Sequence, residues 1–257
     1  MKLQEGTYYG GKGASGAYQA IINQIPPHAN YIEPFAGLAS IFFKLEYLFE
    51  EVWLFEKDPV VIKALVQRIN KVYDDEGDMY FDVNVKNECG LAYLKSLVAK
   101  GDKDWNLDGT VIYCDPPYPL STRKSSRLRY SCEWTDQDHI DFIDTAVALG
   151  KFETNTYILI SSYGNPIYDA ALSSWRKIKF TVQSRHGQRT EALYMNYPEP
   201  TELANYKYLG ANYRDRAAIK KRIQSHMAAY NRMTPREQNL FLRNIHAPQN
   251  SLKPLPF

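Results

Sequence analysis

A chain of 257 residues, 44% hydrophobic, is long enough to bury a full core and still form one large α/β domain with an appendage. Its formal net charge of +2 carries no case for a nucleic-acid partner by itself, so any such case has to rest on where charges cluster. Three cysteines without a C-x-x-C pair disfavour a disulfide framework and a zinc site, and the start MKLQEGTYYGGKG has no apolar signal core, so a soluble cytoplasmic protein without metal or membrane partner is expected.

Short β-rich runs alternate with segments of helical periodicity, the pattern of a mostly parallel sheet covered by helices. The expected strands are Asn30–Glu33, Glu51–Phe55, Met79–Phe81, Thr110–Cys114 and Thr156–Ser161. Helical faces fall at Ile41, Phe42, Leu45 and Leu48, at Val61, Ile62, Leu65, Val66 and Ile69, and at Ile140, Phe142, Ile143, Val147 and Leu149. Two further β-like runs, Lys177–Val182 and Glu191–Tyr197, flank a polar turn at Ser184–Gln188 and suit an antiparallel hairpin at the end of the sheet. A domain of residues 1–200 is thus expected, followed by a basic helical extension over 201–257. That extension contains an amphipathic helix with Ile219, Ile223, Met227 and Tyr230 in one stripe, then a helix opened by a capping box of Thr234, Pro235 and Glu237.

Ligands bind beyond the carboxyl ends of strands in doubly wound sheets, and Asp115-Pro116-Pro117-Tyr118 stands at such an end. An exocyclic amine on a nucleobase is a poor nucleophile, because its lone pair is delocalised into the ring. Two acceptors aimed at its hydrogens, the Asp115 carboxylate and the Pro116 carbonyl, would draw it toward a pyramidal geometry. The two prolines hold the loop rigid, and Tyr118 offers a face for stacking a base that has left its duplex. The plain structural alternative is a Pro-Pro turn with Asp115 capping backbone and Tyr118 covering an edge. Glu33-Pro-Phe35-Ala-Gly37 follows the first strand and precedes a helix expected to begin near Leu38 or Ala39, where Gly37 permits close backbone approach and the helix start offers free amides. Glu56 ends the second strand, where a carboxylate accepts ribose hydroxyls, although Asp58 competes for that role or caps the next helix.

Tyr8-Tyr-Gly-Gly-Lys12, Glu33-Pro-Phe-Ala-Gly37, Glu56 and Asp115-Pro-Pro-Tyr118 occur in the order and spacing of the Dam-like DNA adenine N6-methyltransferases, which residues 7 to 200 resemble. Later segments, among them Trp134–His139 and Arg189–Leu193, are similar to a compact phage and prophage branch of that family. The resemblance implies a Rossmann-like class I methyltransferase fold, a seven-stranded mostly parallel sheet with an antiparallel end hairpin. It implies S-adenosyl-L-methionine as cofactor, held by Tyr8, Lys12, Glu33, Phe35, Gly37, Glu56 and Asp115. It also implies Asp115, Pro116, Pro117 and Tyr118 as catalytic residues acting on a flipped-out adenine in double-stranded DNA, in a modification role with or without a restriction partner. Glu56 departs from the family, which usually has Asp there; the carboxylate is kept and its reach lengthened.

Dam-like enzymes usually carry a target-recognition insertion between the third and fourth strands, and only about thirty residues separate Asp82 from Thr110 here. DNA contacts are therefore expected from Arg123, Lys124, Arg127 and Arg129, and from the tail, where Tyr206 to Arg243 holds nine basic residues against two acidic ones, a net of +7. Cytosine-N4 or RNA adenine methylation, or a catalytically silent DNA-binding subunit, are the alternatives. Cys114 is expected to be structural, and His28, His139 and His186 to lie in loops or on the surface. Recognition sequence and oligomeric state are not encoded legibly.

Overall fold

The computed structural model describes residues 12–13, 16–46, 49–76, 82–101, 107–122, 132–152, 155–184 and 187–246. Its strands are β1 (Asn30–Glu33), β2 (Glu51–Phe55), β3 (Asp82–Lys86), β4 (Thr110–Cys114), β5 (Thr156–Ser162), β6 (Arg176–Ser184) and β7 (Gly187–Met195). They form one sheet in the order β3-β2-β1-β4-β5-β7-β6. The first five run parallel, and β7 lies antiparallel to both β5 and β6. This is a Rossmann-like, doubly wound α/β sheet with an antiparallel hairpin at one end. The chain winds outward from β1 in one direction and from β4 in the other, so these two adjacent strands flank the point where the winding reverses.

Side chains alternate across a strand, and both faces of this sheet are covered, so the central strands read as continuous apolar runs. All five residues of β4 are buried. Val111 and Tyr113 join Tyr31, Val52, Leu54, Leu159 and Leu193 on one face, against Ile21 and Ile22 of α1 (Ala17–Ile22), Phe42 and Leu45 of α2 (Phe42–Leu45), and Leu65 and Ile69 of α3 (Pro59–Glu76). Ile112 and Cys114 join Ile32, Phe55, Ile158 and Ile160 on the other, beneath α4 (Gly90–Lys100), α5 (Asp136–Leu149) and α6 (Pro166–Ala171). With Tyr31 and Ile32 of β1 and all of β4 shut off from water, the charged groups of these strands stand at the strand ends.

Several sequence expectations are corrected. The third strand is Asp82–Lys86; Met79–Phe81 lie outside the described residues. No helix starts at Leu38 or Ala39: Gly37 and Ala39 both have left-handed backbone, with φ of 52° and 49°, and α2 begins only at Phe42. That double turn keeps residues 37–39 out of a helical path. His28 and His139 are buried. His28 Nδ1 lies 2.8 Å from the Pro26 carbonyl, and His139 Nδ1 lies 3.0 Å from the Tyr168 hydroxyl. A hydrogen bond at Nδ1, local for His28 and to α6 for His139, accompanies the burial of each ring. His186 is outside the described residues.

The chain divides into compact units Met1–Tyr208 and Leu209–Phe257, eight residues later than the composition change at 200. Residues 203–208 belong with the sheet: Leu203 is buried, the Ala204 amide donates to the Ile25 carbonyl, and the Asn205 side-chain amide donates to the Leu45 carbonyl. The second unit holds α7 (Tyr213–Asn231) and α8 (Pro235–His246). Asn212 caps α7 by accepting from the Asp215 amide, and the backbone amide and hydroxyl of Thr234 both donate to Glu237 Oε2 at the start of α8. No residue of α7 is buried, and Ile223 and Met227 are more than half exposed.

At Gly90, the first residue of α4, an added Cβ would stand 1.8 Å from the Pro34 carbonyl oxygen. The loop after β1 and the start of α4 therefore touch backbone to backbone. Gly90→Ala is expected to lower stability by about 2 to 3 kcal/mol, because neither backbone can withdraw without disturbing the loop after β1. A urea melt that leaves the midpoint unchanged would show that the two segments are not in fixed contact.

Candidate active site

Three acids stand at the carboxyl ends of adjacent strands: Glu56 just after β2, Glu33 closing β1, and Asp115 just after β4. They line one cavity of about 450 Å³ together with Lys12, Phe35, Gly37 and Pro117. Ile41, Phe55, Leu91 and Trp134 contribute apolar wall, and Gly90 lets that wall come close to the loop after β1. Tyr118 and Pro116 are buried behind this lining. Tyr8, Arg123, Lys124, Arg127 and Arg129 lie outside the described residues. Among the described residues, no cluster of three or more His, Cys, Asp or Glu is placed to hold a metal, and no helix is long and apolar enough to cross a membrane.

The Glu56 carboxylate is fixed by two backbone donors. Gly37 N–H reaches Oε2 at 2.9 Å and Asp58 N–H reaches Oε1 at 2.8 Å. Burial raises its pKa, and these two amides oppose the shift. Each oxygen keeps a further lone pair to accept a ligand hydroxyl. Asp58 is committed elsewhere: its side chain accepts from the Val60 amide at 2.8 Å and caps α3. Phe35 packs edge-on against Trp134 and Phe142, with ring centroids 5.2 and 5.5 Å away, so the flat wall of the cavity is braced by α5. Glu33 accepts the Tyr31 hydroxyl at 3.1 Å and is held well above the ordinary carboxylate range by burial, with the nearby Asp115 charge adding to the rise.

Around Asp115 the structure departs most from the sequence expectation. Lys12 Nζ donates to both carboxylate oxygens, at 2.7 and 2.8 Å, from 103 positions away. The same ammonium lies 3.7 Å from Glu191 Oε2 and 4.8 Å from the centre of the Tyr118 ring. Tyr118 donates its hydroxyl to Glu191 at 3.1 Å and meets Tyr163 edge-on at 4.5 Å, so in this state its ring is covered and not presented as an open platform. Arg189 donates to the Tyr163 hydroxyl at 2.8 Å. Burial pushes the Asp115 carboxyl up to about 6, Lys12 pulls it down, and Glu191 pushes it up again. Burial works against the charge on Lys12, yet its carboxylate partners leave it above the ordinary lysine value.

Glu191 and Trp134 escaped assignment from sequence. The signal for Glu191 was slight: an acid heading the apolar run Ala192–Met195 in a terminal strand, which becomes meaningful only when β7 is inserted beside β5. Trp134 stood in the segment Trp134–His139 that carries the resemblance, without a role of its own. Removing the cation between two buried carboxylates leaves a like-charge pair. Lys12→Met is expected to cost about 3 kcal/mol at pH 8, and less near pH 5.5, where Asp115, its pKa raised further by loss of the ammonium, is neutral. Urea melts at the two pH values measure this, and equal losses would mean that the charge of Lys12 is not what matters.

No family model matches the chain, and no curated protein matches it either. Among solved structures, it is similar to the SAM-dependent methyltransferase from Agrobacterium tumefaciens, at 10% identity over 69% of this chain and 58% of that one, with a TM-score of 0.44. It is similar to magnesium protoporphyrin IX methyltransferase from Synechocystis with bound SAM, at 10% identity over 70% and 74%, with a TM-score of 0.41. P. horikoshii TYW2 in complex with MeSAdo matches at 12% identity over 76% and 66%, with a TM-score of 0.44.

Proposed function

We propose that this protein is a site-specific DNA adenine N6-methyltransferase that uses S-adenosyl-L-methionine. The observation that carries this reading is the position of Asp115, whose carboxylate lines the cavity that also holds Glu56 while bordering the buried Tyr118 ring. One acid is thus shared between a nucleoside-sized cavity and the buried Tyr118–Tyr163 pair.

The cavity suits the cofactor by its own chemistry: apolar walls at Phe35, Ile41 and Leu91 for an adenine ring, and a clamped Glu56 carboxylate for the ribose hydroxyls. Bound there, S-adenosylmethionine supplies a methyl on a positively charged sulfur, and its direct displacement needs neither a metal nor a covalent enzyme intermediate. Gly37 and Asp58 hold Glu56 in one rotamer, so little ordering is left for binding. Pro116 and Pro117 hold Asp115 rigidly at the strand end, and its carboxylate accepts from the target amine, raising the availability of the nitrogen lone pair. Tyr118 and Tyr163 form the aromatic side of the base pocket. Lys12, given by the family resemblance as a cofactor contact, acts first on Asp115.

Duplex binding is assigned to the basic segment 123–129 and to the helical extension, which carries most of the +7 net charge between Tyr206 and Arg243. The exposed basic helix α7 buries none of its own residues, as suits a surface that meets a phosphate backbone.

With labelled cofactor and separate DNA and RNA substrates, the expected product is N6-methyladenine in duplex DNA; methylcytosine alone, or label in RNA alone, would overturn the proposal. Asp115→Ala is expected to reduce kcat/KM for DNA by about a thousandfold or more with the fold intact by circular dichroism. Because the carboxylate must be ionised to accept, and its pKa is about 6, the rate should rise as pH increases through that value and level off above it. Removing Leu209–Phe257 is expected to flatten the dependence of log affinity for duplex DNA on log salt by about 0.9 per lost phosphate contact, with cofactor affinity changed by less than about twofold. An unaltered slope would leave the extension with a packing role.

A further inference from the structure

Lys12 occupies an unusual place for a residue beside a methyl-transfer acid. Its nitrogen donates to both oxygens of Asp115 at 2.7 and 2.8 Å, and it lies over the Tyr118 ring at 4.8 Å. Those are the interactions that a target amine would make: N–H donors on the Asp115 carboxylate beside an aromatic face. The two nitrogens compete for the same oxygens. A buried ammonium cannot simply be released, because stripping a charge of its partner in the interior is strongly unfavourable. Glu191 removes that difficulty. Its Oε2 is 3.7 Å from Lys12 Nζ, inside ion-pair range and outside hydrogen-bonding range. A shift of about 1 Å closes this to a charge-assisted hydrogen bond, so the ammonium can exchange one carboxylate for the other without passing through an unpaired state.

We propose that Lys12 stands in for the target amine before the base enters, and that Glu191 is the positioning residue that receives it, freeing the Asp115 oxygens for the substrate. The ammonium fills the acceptor's place without itself being methylated, since its lone pair carries a proton. The groups facing this cluster are Lys12, Asp115, Glu191, Glu33, Tyr113, Tyr118 and Tyr163. Glu191 is the second anion on Lys12 and also the acceptor of the Tyr118 hydroxyl. It therefore sets the electrostatics and the ring position together. The proposal rests on the adenine methyltransferase reading, and its test separates the two.

Glu191→Gln keeps a carbonyl oxygen for the Tyr118 hydroxyl and removes the charge. In this variant KM for duplex DNA is expected to rise about tenfold with the cofactor dissociation constant changed less than about twofold. The acid limb of the pH–rate profile should move to lower pH, because an anion that disfavoured ionisation of Asp115 is gone. Glu191→Asp, which keeps the charge, should recover part of the DNA affinity. Combined with Lys12→Met, Glu191→Gln should add no further rise in KM, because the ammonium it would receive is absent. An equal rise in both backgrounds would overturn the exchange. Should the wild-type protein not methylate DNA, the functional reading fails by itself. Carbon-13 titration of the Asp115 carboxyl in the full chain still decides the electrostatic arrangement. A lower midpoint in Glu191→Gln supports the cluster, and an unchanged midpoint overturns it.

Discussion

Burial of β1 and β4 on both faces is the constraint from which the site follows. The five buried residues of β4, and Tyr31 and Ile32 in β1, leave charged groups only the strand ends, where Glu33 closes β1 and is itself buried. Charged groups therefore gather where the strands end, and the reversal of winding between these neighbours opens the space that receives them. Glu33, Asp115 and, one strand further out, Glu56 meet at one cavity for this reason and not through proximity in the chain. The backbone contact between Gly90 and Pro34 lets the start of α4 close on the same cavity.

The chemistry of Asp115 is governed by its neighbours more than by its own motif. An isolated carboxylate in this interior would resist ionisation. Lys12 counters the burial, Glu191 partly restores its effect, and a hydrogen bond from Tyr118 also favours the charge, so the pKa of about 6 reflects opposing influences. Such a group is ionised at neutral pH while both of its oxygens accept from Lys12. Glu56 is the contrast. Two backbone amides, those of Gly37 and Asp58, fix it. One acid is thus held by backbone amides and the other by a side-chain cation.

The helical extension obeys different physics. Its helices are defined by local signals, an Asn212 cap and a Thr234–Glu237 capping box, and not by burial. The apolar stripe read from Ile219 to Tyr230 does not enter a core, since no residue of α7 is buried. Tyr230 touches Phe241 at 5.7 Å, but Leu240 and Ile245 remain more than half exposed. Charge is the more consistent feature of this unit, and it is what the proposed contact with duplex DNA uses.

The sequence by itself determined the elements and the strand-end acids. Short β-rich runs located β1, β2, β4, β5 and the hairpin, and the Asp115-Pro-Pro-Tyr118 and Glu33–Gly37 segments fell at strand ends. Capping residues marked the start of α8. The third strand was displaced and the helix after Gly37 began late, because left-handed backbone at Gly37 and Ala39 overrides local helical periodicity. Only the tertiary structure decided which groups face each other. Lys12 meets Asp115 across 103 residues, and Glu191 and Tyr118 meet across 73. Pairings of that range depend on strand order, which no local pattern of residues encodes. The sequence thus identified an acid suited to accept from an amine, while the packing of β7 beside β5 decided that this acid shares its cation with a second carboxylate.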